Sequence, residues 1–212
     1  ISQGADILVM DDGFQNLDIV HDLDLVLLDA TDPWGGGHLL PWGRLREPRE
    51  ALGRAGAVLL TRADQVPPEA LERIREDVAK LAPEALLAEA VHKPVGGEDL
   101  RGAKVFAVCG IGNPKAFVKT LESLGALVTA NRFLGDHHDW TLQDVRQVTA
   151  AAAGATVATT QKDWVKLRAF PEASSWKALE VRLEVTRGAE ALAGRMGGLP
   201  DPAGAPASRP SS

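Results

Sequence analysis

Short apolar runs that end in polar turns recur along the chain and limit what it can fold into. Three of them lie in the first half, at residues 7–10, 23–28 and 57–60. A run that is apolar at every position, rather than at alternate positions, is typical of a parallel strand covered on both faces. A proline pair opens a helical pattern at residues 67–81, directly after the third run. The first half therefore predicts an α/β fold.

The second half repeats the alternation of strands and helices. Its predicted strands are residues 105–109, 126–130, 155–159 and 178–184. Asn113 is the expected N-cap of one helix, with proline at the first helical position. Thr141 is the expected N-cap of the next, and Asp144 three residues later gives a variant capping box. We expect α/β architecture in this half as well.

Charge and cysteine content exclude several classes of site. The net charge is −6, and residues 1–96 hold 9 Lys and Arg against 17 Asp and Glu. Residues 1–32 contain eight Asp and no Lys or Arg, which argues against nucleic-acid binding there. These carboxylates could bind a cation, or they could form a solvated acidic face. The lone Cys109 excludes an internal disulfide and a zinc site of several cysteines, and we expect it to be buried and inert.

No apolar run approaches the roughly 20 residues of a membrane-spanning helix, so we expect the chain itself to be soluble.

The first candidate site follows the opening apolar run. Asp11 and Asp12 begin the segment Asp-Asp-Gly-Phe-Gln at residues 11–15. Ligands of open α/β sheets bind beyond the carboxyl ends of the strands, where two carboxylates can hold Mg²⁺ against nucleotide phosphates. A structural turn with solvated carboxylates fits the same pattern.

Further candidates lie in polar loops. Asp136 precedes His137 and His138, and a carboxylate hydrogen-bonded to an imidazole can prepare it for proton transfer. A loop or capping role explains these residues equally well. The guanidinium group of Arg46 can bind phosphate through two hydrogen bonds. Lys162 follows a predicted strand and would lie near a ligand. Both residues are equally compatible with an ordinary solvent-exposed position.

The chain contains no Gly-x-x-x-x-Gly-Lys-Ser/Thr motif, and the Gly110-x-Gly112 pair lacks the lysine that such a loop needs. A nucleotide kinase with this sequence would need its phosphate-binding loop before residue 1. Because the chain starts with Ile1 and an apolar run follows at once, we expect it to begin partway through a longer protein.

Five motifs, in this order, resemble the tetraacyldisaccharide 4′-kinase (lipid A 4′-kinase) family of Gram-negative bacteria. They are Asp-Asp-Gly-Phe-Gln at 11–15, Leu-Leu-Pro-x-Gly-x-Leu-Arg-Glu-Pro at 39–48, Gly-Ile-Gly-Asn-Pro at 110–114, Asp-His-His at 136–138 and Thr-x-Lys-Asp-x-Val-Lys at 160–166. The resemblance covers about residues 5–185. The sequence departs from the family pattern in two ways. Asn16 stands where the family usually has histidine, and the P-loop and the Asp partner of the histidine, both expected upstream, are absent.

The resemblance implies an incomplete P-loop NTPase-like parallel sheet followed by a second, smaller α/β domain. We expect the core at residues 1–83, without its Walker A portion, and a two-strand-like linker at 84–104. The second domain would occupy 105–190, and a disordered tail 191–212.

The implied activity is transfer of the γ-phosphate of ATP to the 4′-hydroxyl of a tetraacylated disaccharide 1-phosphate, at the cytoplasmic face of the bacterial inner membrane and without nucleic acid. Asp11 and Asp12 would then bind Mg²⁺, and His137 with its neighbour Asp136 would be catalytic. The expected phosphate or substrate contacts are Gln15, Asn16, Arg46 and Lys162. Since phosphoryl transfer depends on a loop that holds the β- and γ-phosphates, we expect little turnover from this chain alone.

Two other classes of function remain open on the sequence. A DHH-type, Mn²⁺-dependent phosphoesterase also uses Asp-His-His together with Gly-Gly-Gly-His, which occurs here at residues 35–38. In that class, however, Asp-His-His precedes the glycine element, whereas here it follows. A non-catalytic α/β binding module is the third interpretation, because the P-loop is missing.

Overall fold

The computed structural model of the chain describes residues 8–136 and 138–197. It divides into two compact units, one formed by residues up to Val91 together with those from Val185 onward, the other by His92–Glu184. Each unit contains parallel strands flanked by helices. The predicted α/β class is therefore confirmed.

The first unit is built on a parallel β-α-β arrangement. Its strands are β1 (Leu25–Asp29), β2 (Ala57–Thr61) and the part of β3 (Leu86–Val95) up to Val91, and helix α1 (Pro68–Leu81) connects the last two. All three strands are parallel, with Leu25 opposite Ala57 and Ala57 opposite Leu86. The end of β7 (Lys177–Arg187) lies beside β3, and helix α5 (Ala189–Arg195) follows it.

Strand β2 explains why the apolar run at 57–60 predicts a parallel strand. Val58 and Leu60 pack in one cluster with the buried face of α1, whereas Ala57 and Leu59 pack in another with Leu192 of α5. Every residue of β2 is buried. Burying each large side chain contributes roughly 2 kcal/mol, so an entirely apolar run is stable only where both faces of the sheet are covered.

The second unit has the strand order β7-β6-β4-β5. Strands β4 (Lys104–Cys109), β5 (Leu127–Phe133) and β6 (Thr156–Thr160) are parallel, and β7 pairs in parallel with β6. The helices are α2 (Pro114–Ser123), α3 (Leu142–Ala151) and α4 (Gln161–Leu167). Alternate residues of β4 face opposite ways: Val105 and Cys109 pack with α2, and Phe106 and Val108 with α3. Cys109 is buried, as predicted.

Three sequence expectations differ from the structure. Residues 8–10 form no strand, and Leu8 and Val9 are 77% and 87% exposed, because an apolar run indicates a need for burial and becomes a strand only beside a hydrogen-bonding neighbour. The segment 84–104, expected as a two-strand-like linker, contains one whole strand, β3. Residues 191–195 belong to α5, anchored by buried Leu192, whereas the rest of the expected tail from residue 198 lies outside the described residues.

Candidate functional site

In the first unit, the predicted Asp12 and Arg46 lie together. Asp12 is in a turn with a left-handed backbone (φ 59°), and its carboxylate forms an ion pair with the Arg46 guanidinium. Both side chains are exposed. Surface pairs of this kind contribute little to stability, so both groups can exchange partners at little cost.

Arg54 makes a second connection between the segment that follows Asp12 and the one that follows Arg46. Its guanidinium lies 4.6 Å from the centre of the Phe14 ring, donates to the Phe14 carbonyl at 3.4 Å and pairs with Glu47 at 2.6 Å. A guanidinium stacked on an aromatic face and bonded at its edge is held in orientation. The Asp-Asp-Gly-Phe-Gln turn is therefore fixed to the Leu-Arg-Glu-Pro segment.

The other predicted residues of this turn are exposed. Asp11 and Gln15 lie on the surface. Asn16 makes local contacts: its backbone N–H donates to the Gly13 carbonyl at 2.8 Å, and its side-chain oxygen accepts from the Asp18 N–H at 3.2 Å.

A second polar cluster in this unit, at the carboxyl ends of β1 and β2, was not predicted. Asp29 accepts from the Thr31 hydroxyl at 2.7 Å and from Arg62 Nη1 at 2.7 Å. Arg62 has a left-handed backbone (φ 55°), which is uncommon away from glycine and is found at sites where the surroundings impose it. The sequence feature that could have indicated this cluster is Asp29, the acidic residue that directly follows the apolar run at 23–28.

The glycine-rich loop after β1 needs its glycines. Gly35, Gly36 and Gly37 have φ values of 52°, 81° and 80°. Three successive left-handed residues strongly favour glycine, because every other residue would be strained there by its Cβ atom. The loop is held by an ion pair of Asp32 with Arg44 and by the Arg49 guanidinium, 4.7 Å from the centre of the Trp34 ring.

In the second unit, the candidate residues lie in the loop that follows β5, residues 135–140, which we call the DHH loop. Asp136 Oδ1 accepts from Lys162 Nζ at 2.9 Å, so the structure brings these two predicted residues together. Lys162 lies in the first turn of α4, directly after β6. His137 lies outside the described residues.

His138 is fixed by its surroundings. Its Nε2 is 3.1 Å from Asp144 Oδ2, and its ring meets the Trp140 ring edge-on at a centroid distance of 5.6 Å. Asp144 completes the predicted capping box with Thr141. Hydrogen bonding by Thr141, and secondarily by His138, holds the pKa of Asp144 below its ordinary value. Lys166 Nζ adds a contact to the His138 carbonyl at 3.0 Å.

Asp163 is the residue of this region that sequence reasoning missed. Its carboxylate accepts from the Gly110 N–H at 3.1 Å, the Trp140 indole N–H at 3.2 Å and the Thr160 hydroxyl at 2.7 Å. The Thr160-x-x-Asp163 spacing is the available signal, since it matches a helix N-cap and its third residue. Spacing alone does not reveal the two distant donors.

Asp11 and Asp12 suit Mg²⁺ by donor type, because Mg²⁺ commonly takes one or two carboxylates and completes its coordination with phosphate oxygens and water. Within residues 8–136 and 138–197, no group of three or more His, Cys, Asp or Glu side chains is placed to hold a metal ion. Over the same residues, no helix is both long and apolar enough to cross a bilayer.

Comparison with known proteins gives one consistent result. The family model for tetraacyldisaccharide-1-P 4′-kinase matches residues 1–196. The tetraacyldisaccharide 4′-kinase of Anaeromyxobacter sp. (strain K) is 44% identical over 205 residues, which are 89% of this chain and 54% of that protein. That of Halothermothrix orenii is 35% identical over 185 residues, 76% of this chain and 48% of that protein.

A solved structure agrees in fold. The crystal structure of the "apo" form of LpxK from Aquifex aeolicus in complex with ATP matches with a TM-score of 0.56 at 24% identity, over 88% of this chain and 55% of that one. At this identity the likeness supports the fold alone. The chain spans about half the length of the curated relatives it matches.

Proposed function

The chain belongs to the tetraacyldisaccharide-1-P 4′-kinase family, and from that premise we propose that its protein transfers the γ-phosphate of ATP to the 4′-hydroxyl of tetraacyldisaccharide 1-phosphate in lipid A biosynthesis. The observation that carries the proposal is the family match over residues 1–196. The ordered Asp-Asp and Asp-His motifs within that match support it. Membership in this family favours a kinase over the phosphoesterase and the non-catalytic module.

In this proposal, Asp11 and Asp12 hold the metal that accompanies ATP. Mg²⁺, when bound, neutralises charge on the phosphate oxygens during transfer. Asp12 is paired with Arg46 in the structure. A cation that takes the Asp12 carboxylate would release the Arg46 guanidinium, whose planar array of donors suits a phosphate. Gln15 and Asn16 offer amide groups for substrate or phosphate contacts.

The proposed role of His137 is to take part in removing the proton from the attacking hydroxyl, with Asp136 as its neighbouring carboxylate. Lys162, now 2.9 Å from Asp136 Oδ1, would also contact phosphate. An ammonium group shared between a carboxylate and a phosphate neutralises part of the charge that the site must hold.

The proposed partner surface is the cytoplasmic face of the inner membrane. The acyl chains of the substrate are insoluble in water, so an enzyme that acts on its sugar must reach the substrate at a bilayer surface. A peripheral location follows from the substrate chemistry in this proposal.

The test is a transfer assay on the whole protein in detergent micelles, with γ-labelled ATP, Mg²⁺ and tetraacyldisaccharide 1-phosphate. We expect labelled lipid carrying a second phosphate, and much less of it with Asp12→Asn. Hydrolysis of a phosphodiester with Mn²⁺ and without ATP would instead identify a phosphoesterase. ATP binding without transfer to lipid would identify a non-catalytic module.

A further inference from the structure

Asp163 and Asp144 occupy equivalent positions in two capped helices but have different surroundings. Each is the third residue of a helix whose N-cap threonine accepts its backbone N–H. Asp144 is partly exposed, whereas Asp163 is only 4% exposed and accepts hydrogen bonds from residues 53 and 23 positions away in sequence. Capping alone requires neither burial nor distant donors. Asp163 therefore does more than take part in the N-terminal cap of α4.

The donors to Asp163 come from three segments at the carboxyl edge of the second unit's sheet. Gly110 directly follows β4, Trp140 ends the DHH loop after β5, and Thr160 ends β6. The loops approach closely at Gly110, where a Cβ atom would lie 3.0 Å from the Gly135 carbonyl oxygen and 3.2 Å from Asp163 Oδ1. One buried carboxylate thus fixes the DHH loop against the glycine loop 110–112.

An ionised carboxylate is the side chain that this arrangement requires. The three donors are a backbone N–H, an indole N–H and a hydroxyl, and a carboxylate accepts from all of them because both of its oxygens are acceptors. An asparagine of the same shape offers one oxygen and an NH₂ group that would face a donor. Hydrogen bonds to an ionised group are also stronger and shorter than neutral ones.

We propose that Asp163 is a positioning residue that sets the DHH loop, and with it Asp136, against the glycine loop 110–112. The inference rests on the proposed kinase function for its catalytic consequence. Asp163 touches neither substrate nor nucleotide in this scheme. Its loss displaces the loop that carries the candidate catalytic pair, and small displacements of such groups lower turnover strongly.

The kinetic test compares variants of the whole protein in the lipid transfer assay. Asp163→Asn is expected to lower kcat by about tenfold or more with KM for ATP unchanged within about twofold. Thr160→Val removes one donor and is expected to lower kcat less, while Thr160→Ser keeps the hydroxyl and restores activity. Val148→Ala, a cavity variant in the buried face of α3, controls for lost stability and should keep kcat at temperatures where it is folded.

A second readout is independent of activity. The method is ¹H–¹⁵N NMR. The indole N–H resonance of Trp140 is identified as the one that is missing from the spectrum of Trp140→Phe. In Asp163→Asn this resonance is expected to shift and the Gly110 amide to exchange faster with solvent, whereas both remain as in the wild type in Val148→Ala.

The two readouts separate this inference from the proposed function. If the wild-type protein transfers no phosphate to lipid, the proposed function fails, and the resonance and exchange data alone decide whether Asp163 orders the loop. Unchanged Trp140 and Gly110 signals in Asp163→Asn would overturn the inference. So would an unchanged kcat in an active enzyme, or a kcat loss that Val148→Ala reproduces at equal stability.

Discussion

Two nitrogens of the Arg75 guanidinium donate to the two carboxylate oxygens of Glu89, at 2.8 and 2.9 Å, inside the first unit. Arg187 Nη1 adds a bond to Glu89 at 3.0 Å. Glu89 lies on β3 and is 5% exposed, Arg75 lies on α1 and Arg187 on β7. A bidentate pair fixes orientation as well as distance. This buried carboxylate therefore connects one helix to two strands.

Removing the Glu89 charge should destabilise the protein. In Glu89→Gln, Arg75 loses its bidentate partner in a mostly buried place, and we expect the free energy of unfolding to fall by roughly 2–4 kcal/mol. Urea denaturation followed by circular dichroism measures it. Glu72→Gln is the matched control, since exposed Glu72 pairs with the same Arg75 and should cost less than about 1 kcal/mol. Equal losses in the two variants would contradict this assignment.

Glu89 also predicts a pH dependence of stability. Burial by itself raises the pKa of Glu89, but hydrogen bonds from Arg75 and Arg187 outweigh it, so the pKa lies below the ordinary value. A carboxyl group whose pKa falls on folding stabilises the protein above its unfolded pKa of about 4.3, and this contribution is lost as the pH drops through the folded pKa. The difference in unfolding free energy between wild type and Glu89→Gln should be constant from pH 8 to about pH 5 and shrink below it. A difference that grew in acid would show the opposite sign.

Cys109 should be inert to thiol reagents while the second unit is folded. Burial, and secondarily the charge of Asp163, raises the pKa of this thiol to about 12. Since the thiolate is the reactive form, we expect no iodoacetamide adduct on Cys109 at pH 8 without denaturant and complete labelling in urea, read by mass spectrometry of the peptide. Ser175→Cys places a thiol at an exposed position and should react in both conditions. Rapid native labelling of Cys109 would mean that α2 opens away from β4.

The sequence predicted those features that depend on neighbouring residues. The run at 57–60 marks β2, and Asn113 and Thr141 cap α2 and α3, because burial pattern and capping are local properties. The hydrogen bond between Asp163 and Trp140 depends on the start of α4 meeting the DHH loop at the sheet edge, which no local spacing encodes. Residues 8–10, which were predicted as part of a strand, form none for a related reason, since a strand depends on a neighbour elsewhere in the chain.

The two adjacent histidines of the DHH loop should differ in their effect on catalysis. His138 is held by Asp144 and Trp140, which makes it a structural member of the loop, whereas the family resemblance assigns proton transfer to His137. In the whole protein, His137→Asn is expected to lower kcat by about 10²- to 10⁴-fold with little change in KM for ATP. His138→Asn should lower kcat less and mainly reduce thermal stability, because its amide can replace only part of the contact with Asp144. Steady-state kinetics and thermal unfolding of the two variants, measured side by side, decide between them. A wild-type kcat in His137→Asn together with a large loss in His138→Asn would transfer the catalytic role to His138.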